Sequence, residues 1–243
     1  MSTFSLRPPG ERTVVITGAG RGLGLGLAGR IAAGGDRVIG TARRPEAAPE
    51  LAAVADRVIA LDVADDDSIA AAATALADLD HIDVLINNAG IDARAVGAEA
   101  DARGPLDLSR EHFLAVVDVN AAGPLLVVRA LLPQLQAATG ALVLNVSSQL
   151  GAMTFGHRGG RDIAYNASKS ALNMVTVRTA TELEAHGVAL VAIHPGWVQT
   201  DMGGGSASLT VDESTQAMVD TLDGLTLADS GRFIRWDGTT HDW

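Results

Sequence analysis

One tyrosine and one lysine occur in the 243 residues, and they stand four positions apart, as Tyr165 and Lys169 in Tyr-Asn-Ala-Ser-Lys. Every other basic side chain among the 18 lysines and arginines is arginine. Ala164, Ala167, Ala171 and Leu172 give the pair a helical setting. In a helix, positions i and i+4 share a face, with Cβ atoms roughly 5–6 Å apart. A phenol beside a fixed ammonium is a proton-transfer device. Free tyrosine has a pKa of about 10, so only about 0.1% is ionised at pH 7, and a cation within about 4–6 Å favours the phenolate. The bland alternative is an exposed helical pair without a role, and the scarcity of both residue types argues against it.

A second constellation lies near the start. Thr17-Gly18-Ala-Gly-Arg21-Gly22-Leu23-Gly24 follows an apolar run and opens a helical stretch. Glycines let backbone approach a pyrophosphate, and a helix N-terminus supplies free N–H groups and a positive dipole. After the next apolar run, a site for NAD would place an acid to hold the ribose hydroxyl. The sequence there reads Thr41-Ala42-Arg43-Arg44. Two guanidiniums, with Arg21 in reach, suit a 2′-phosphate, which arginine matches bidentately. The alternative is a surface turn before Pro45.

These residues need a scaffold that returns them to one edge. Short β-branched runs at Thr13–Thr17, Val38–Thr41, Val58–Asp62, Val84–Asn87, Ala141–Val146 and Ala189–Ile193 predict six strands, with Phe233–Trp236 a last edge strand. Helices are predicted at Leu23–Ala33, Asp66–Leu79 and Ile163–His186. Phe113–Gln136 reads as one long helix or two, interrupted around Gly123-Pro124. Apolar strands each followed by a helix imply a parallel sheet covered on both faces, an α/β fold. No linker or repeat divides it, so residues 13–243 are expected to form one domain, with residues 1–12 a flexible lead-in.

Composition narrows the function. The absence of cysteine excludes disulfides, thiolate metal sites and cysteine nucleophiles. A formal charge of −11 argues against nucleic acid or anionic lipid as a partner. No uninterrupted apolar stretch reaches about 20 residues, and residues 1–10 lack a signal-peptide run. A cytoplasmic protein is expected. Six histidines show no metal-ligand spacing, so no metal is expected.

With these pieces in place, the chain resembles the short-chain dehydrogenase/reductase superfamily from about Thr13 onward. The glycine loop matches Thr17 to Gly24, and the adenine-site Asp-Val matches Asp62-Val63. Asn-Asn-Ala-Gly matches Asn87, Asn88, Ala89 and Gly90. The helix asparagine matches Asn120, the serine after strand five Ser148, and Tyr-x-x-x-Lys matches Tyr165 and Lys169. Pro-Gly after strand six matches Pro195-Gly196, followed by Val198 and Thr200. Ser168–Met174, His194–Met202 and Gly224–Trp236 resemble the branch of C-factor and sniffer-type carbonyl reductases. Ser148 and Tyr165 are 17 positions apart, a longer spacing than is commonest, and the excess fits Gly156–Gly160. The choice between Ser147 and Ser148 stays open, with motif register favouring Ser148.

The resemblance implies a Rossmann-type doubly wound sheet and an oxidoreductase that interconverts a carbonyl and an alcohol. It implies NADP(H), preferred over NAD(H) because of Arg43 with Arg21 or Arg44. Gly18, Gly22, Leu23, Gly24, Asp62, Val63, Asn88, Ala89, Gly90, Pro195, Gly196, Val198 and Thr200 would line the cofactor, with Tyr165 and Lys169. Tyr165 would be the general acid or base, Lys169 would lower its pKa and hold the nicotinamide ribose, Ser148 would bind the carbonyl oxygen, and Asn120 would hold a water. A homodimer is expected, with a tetramer as the alternative, through helices matching Phe113–Gln136 and Ile163–His186. The rival reading is a dinucleotide-binding signalling protein of C-factor type with little turnover. Gly203–Gly205 is a candidate hinge, and His157 a loop residue that could touch substrate.

Overall fold

A computed structural model describes residues 5–155 and 162–243. His157 and the Gly156–Gly160 insertion lie outside the described residues. Seven parallel strands form one sheet in the order β3-β2-β1-β4-β5-β6-β7. They are β1 (Thr13–Ile16), β2 (Arg37–Ala42), β3 (Arg57–Ala60), β4 (Val84–Asn87), β5 (Ala141–Val146), β6 (Val188–His194) and β7 (Phe233–Arg235). The helices are α1 (Gly22–Ala33), α2 (Pro49–Val54), α3 (Asp66–Ala75), α4 (Arg110–Val117), α5 (Gly123–Ala137), α6 (Ile163–Glu184) and α7 (Val211–Asp223). This is the doubly wound Rossmann-type architecture that the alternating pattern implies.

Alternate strand residues point to opposite faces, so each strand feeds two cores. Val14, Ile16, Val84, Ile86, Leu142 and Leu144 pack with Leu27 and Ile31 of α1 and Met218 and Leu222 of α7. Val15, Leu85 and Val143 pack on the other face, with Ile69 of α3, Val127 and Leu131 of α5 and Leu183 of α6. The burial of β4, β5 and β6 is complete along their length, which is why these runs carry no polar alternation.

Three differences from the sequence reading have physical causes. Helix α7 was not foreseen because its buried stripe is sparse and partly polar: Ser214, Thr215, Met218 and Leu222. The long stretch breaks earlier than Gly123-Pro124, at a π-helical turn over Asp118–Ala122. Pro124 has no N–H to donate to the Asn120 carbonyl, so the regular i→i−4 pattern fails one turn before the proline. The second half of the lead-in is pinned rather than loose. Arg12 Nε bonds Asp36 Oδ2 at 2.8 Å, Arg7 reaches Asp83 at 3.2 Å, and Leu6 packs on the core.

The span Arg110–Ala137 is long and apolar enough to cross a membrane by length and composition alone. Here it is broken by the π turn, and Val127, Val128, Leu131 and Leu135 spend its apolar side on the sheet.

Candidate active site

The residues singled out by motif converge beyond the carboxyl ends of β1, β4, β5 and β6. That edge is where open parallel sheets of this kind bind ligands. At β1, Gly18 and Gly22 take φ of +63° and +55°, a left-handed backbone that glycine adopts without strain. A Cβ on Gly18 would stand 2.8 Å from Ala89 Cα, so loop and β4 segment meet backbone to backbone. Asn88 fixes this contact: its Nδ2 donates to the Thr17 and Gly18 carbonyls at 3.0 Å each. Thr17 Oγ1 in turn accepts from Asn88 N at 3.1 Å and Ala89 N at 3.0 Å. Asn88 and Ala89 thus shape the loop.

Helix α1 begins with no side-chain cap and no acid in its first turn. Its first N–H groups lack a side-chain acceptor, which is the arrangement an anion completes. Leu23 packs on the core beside it. Arg43 and Arg44 follow β2, both exposed and, among the described residues, without an ion pair. Arg21 does pair, with Asp201 in the segment after β6. Asp62 lies just past β3, where its Oδ1 accepts from Ala64 N at 3.1 Å. The neighbouring Val63 is buried against Gly123. Gly196 takes φ +88°, and Ser214 of α7 donates to the Pro195 carbonyl at 2.7 Å. Val198 is buried and bridges to Leu209. The Thr200 methyl would lie 3.6 Å from a Cβ on Gly22, which places the segment after β6 across the glycine loop.

The residues for proton transfer meet beside this groove. Tyr165 is half-buried in the first turn of α6 and hydrogen-bonds Ser148, whose Oγ also accepts from Leu150 N at 3.1 Å. Ser147 instead donates to Asn173 Oδ1 at 2.6 Å and is buried. Geometry therefore separates the two serines that spacing left open. Lys169 Nζ lies 5.7 Å from the Tyr165 ring centroid and donates to the Val146 carbonyl at 2.8 Å. Asn120 is fully buried; its Oδ1 accepts from Ile91 N at 2.8 Å, and its Nδ2 donates to Ile91 O at 2.7 Å and Ser168 Oγ at 2.8 Å. A Cβ on Gly90 would sit 3.3 Å from Asn120 Oδ1 and 3.5 Å from Lys169 Nζ, so a side chain there would crowd both.

The electrostatics correct one expectation. Lys169 does not pull the phenol down in this state. Burial pushes Tyr165 up to about 12, opposed by its bond to Ser148 and reinforced by the charges of Asp92 and Asp162. Burial likewise pushes Lys169 down to about 8. Desolvation disfavours both charged forms. At neutral pH the tyrosine is a protonated donor and the lysine is still largely an ammonium.

Sequence reasoning missed the polar ladder under the site. Asn87 Nδ2 donates to Asn145 Oδ1 at 2.9 Å, and Asn145 Nδ2 donates to Thr176 Oγ1 at 2.9 Å. An asparagine at 145 inside an otherwise apolar strand was the available signal. Among the described residues no group of three or more His, Asp or Glu could hold a metal.

A family model described as short chain dehydrogenase matches residues 12–208, and the chain belongs to that family, the short-chain dehydrogenases/reductases. Within it, the chain falls in the carbonyl-reductase-like branch related to Sniffer and C-factor. It is 34% identical to the NADPH-bound carbonyl reductase from chicken fatty liver, with a TM-score of 0.86 over 96% of this chain and 99% of that one. Against the carbonyl reductase Sniffer of D. melanogaster the identity is 31%, the TM-score 0.86 and the coverage 96% and 99%. The C-signal protein of Myxococcus xanthus is 39% identical over 164 residues, 67% of this chain and 93% of that protein.

Proposed function

We propose that this protein is an NADPH-dependent oxidoreductase that interconverts a carbonyl and an alcohol, with Tyr165 as the proton donor to the carbonyl oxygen. The observation that carries this reading is the Ser148–Tyr165 hydrogen bond, set beside Lys169 and Asn120 at the end of a glycine groove.

The groove fits a dinucleotide. The uncapped α1 terminus offers N–H groups to a pyrophosphate, Gly18 and Gly24 let the loop close against Ala89 and Asn88, and Asp62 and Val63 border the adenine end. Arg43, with Arg44 alongside, stands free for a 2′-phosphate, while Arg21 is shared with Asp201. Gly90, Pro195, Gly196, Val198 and Thr200 frame the inner end. The cofactor, when bound, supplies hydride to the carbonyl carbon.

The remaining steps belong to the side chains. Ser148 donates to the substrate oxygen, where negative charge grows as hydride arrives; such a donor stabilises the transition state more than the ground state. Tyr165, kept protonated by burial, releases its proton to that oxygen. Lys169 then faces a new phenolate, which an ammonium stabilises. The Asn120 amide is already committed to Ile91 and Ser168. Its backbone carbonyl, deprived of the Pro124 donor, is the group suited to hold a water that returns the proton.

Exposed Leu114, Leu125 and Met174 on α4, α5 and α6 support pairing of two copies through these helices. The likeness to C-signal favours a second reading, a dinucleotide-binding signal with little turnover. A screen of aldehydes, α-diketones and quinones with NADPH and NADH, followed by cofactor absorbance, separates the two. Oxidation of NADPH by at least one carbonyl is expected; cofactor binding without turnover in either direction would favour the signal.

A further inference from the structure

Asp162 lies three residues before Tyr165, outside every motif identified above. Its Oδ1 accepts from Tyr165 N at 3.0 Å, capping α6. Its Oδ2 accepts from Ala93 N at 2.8 Å. A cap needs one acceptor, which serine or asparagine also provides. Here the second oxygen is used off the helix, on the segment that follows β4. That segment is gripped again at Ile91, whose N–H and C=O both bond Asn120. Asp92, one residue on, holds the Arg94 guanidinium at 2.9 Å, and Arg94 donates to the Met202 carbonyl at 2.9 Å. The helix carrying Tyr165, the segment after β4 and the segment after β6 thus form one bonded frame around the cleft.

We propose that Asp162 is a positioning residue for the carbonyl chemistry: its two oxygens lock the backbone of Tyr165 to that of Ala93 across the cleft. This rests on the reductase reading above. Among the described residues, the charges facing Tyr165 are few. Asp162 and Asp92 are the anions, both acting to keep its proton on. Lys169 is the cation on the same helix, and Arg94 is engaged by Asp92 within the field of Asp162. Loss of the Asp162 charge therefore makes the phenol easier to ionise.

Because Tyr165 is the sole tyrosine, a ¹³C label at tyrosine Cζ gives one resonance whose titration reads this group without turnover. In Asp162→Asn and Asp162→Ser, both able to cap α6 but uncharged, the midpoint should fall by about half a pH unit or more. In Asp162→Glu, which keeps the charge but displaces the bonds, it should stay near that of the wild type. All three should lose about 10- to 100-fold in kcat for carbonyl reduction, with NADPH Kd unchanged. In the Asn and Ser variants the alkaline limb of kcat/KM should move down with the resonance. An unmoved resonance in both uncharged variants, or a kcat for Asp162→Ser equal to that of the wild type, would overturn the proposal. Absence of turnover in the wild type would sink the reductase reading, and the resonance would still decide the role of the Asp162 charge.

Discussion

The two ends of the sheet handle buried polarity in opposite ways. At the amino ends, the residues just before the strands are charged and paired. Arg12, before β1, is 2.6 Å from both Asp36, before β2, and Asp223 at the end of α7. Asp83, before β4, accepts from Thr13 N at 2.8 Å and faces Arg7 and His81 at 3.2 Å each. At the carboxyl ends the buried groups are hydroxyls, amides and the imidazole of His194, and the one buried ammonium, Lys169, bonds a carbonyl and, among the described residues, no carboxylate. Charges that meet their opposites can hold three elements together. A buried lysine without an acid is held with its charged form disfavoured, and a group displaced in this way beside a cleft is a candidate for reaction rather than for folding.

The comparison can be broken most sharply at Lys169. Lys169→Met should lower turnover by about 10²–10⁴-fold, in the range of acid–base contributions. Its unfolding midpoint at pH 7 should be no lower than that of the wild type. The fall of this group from 10.5 to about 8 represents about 3 kcal/mol against its charged form, which offsets the lost bond to Val146. Loss of both activity and stability would mean that the two ends are not divided in this way.

Asp36→Ala is the converse. It leaves Arg12 with Asp223 alone and removes the acceptor of the Gly10 and Arg12 N–H groups, and breaking a buried pair costs about 3–5 kcal/mol. Denaturant unfolding should show that loss, while kcat/KM below the melting transition stays unchanged.

A smaller effect sharpens the cofactor end. One charge-assisted hydrogen bond contributes about 1.5–3 kcal/mol, so Arg43→Ala should weaken NADPH binding roughly 10- to 150-fold. NADH should change little. Equal weakening of both in fluorescence titrations would remove the 2′-phosphate role.

The last effect is a slope, small over any one pH unit. Burial first, then the charges of His241 and Arg235, pushes His194 down to about 3. Between about pH 6.5 and pH 3 the unfolded chain binds a proton there that the folded chain refuses. Stability should therefore fall with acidification through that window, by up to about 1.4 kcal/mol per pH unit. His194→Gln should flatten this part of a urea-midpoint profile against pH.

What could be read from sequence follows the same division. The strands were legible because sheets covered on both faces need uninterrupted apolar runs, and Val84–Asn87 and Ala141–Val146 end where those runs end. Tyr165 and Lys169 were legible because a helix converts four positions into proximity. Asp162 touching Ala93, Ser147 touching Asn173 and Arg21 touching Asp201 were not, since each depends on elements far apart in the chain. Helix α7 carried one local signal, the Thr210–Glu213 capping box, with too few apolar residues behind it to define a face. The direction of the tyrosine shift was hidden for a related reason. Spacing shows that an ammonium is near but not how far burial displaces each group.

The assignment of chemistry to the carboxyl end stands on Tyr165. Its most direct test is Tyr165→Phe, assayed for NADPH-driven reduction of a slow carbonyl substrate alongside fluorescence titration of NADPH. The account predicts turnover lowered by about 10²–10⁴-fold, with cofactor affinity and unfolding midpoint close to those of the wild type. A variant that keeps nearly full turnover would contradict it, because the proton would then come from another group.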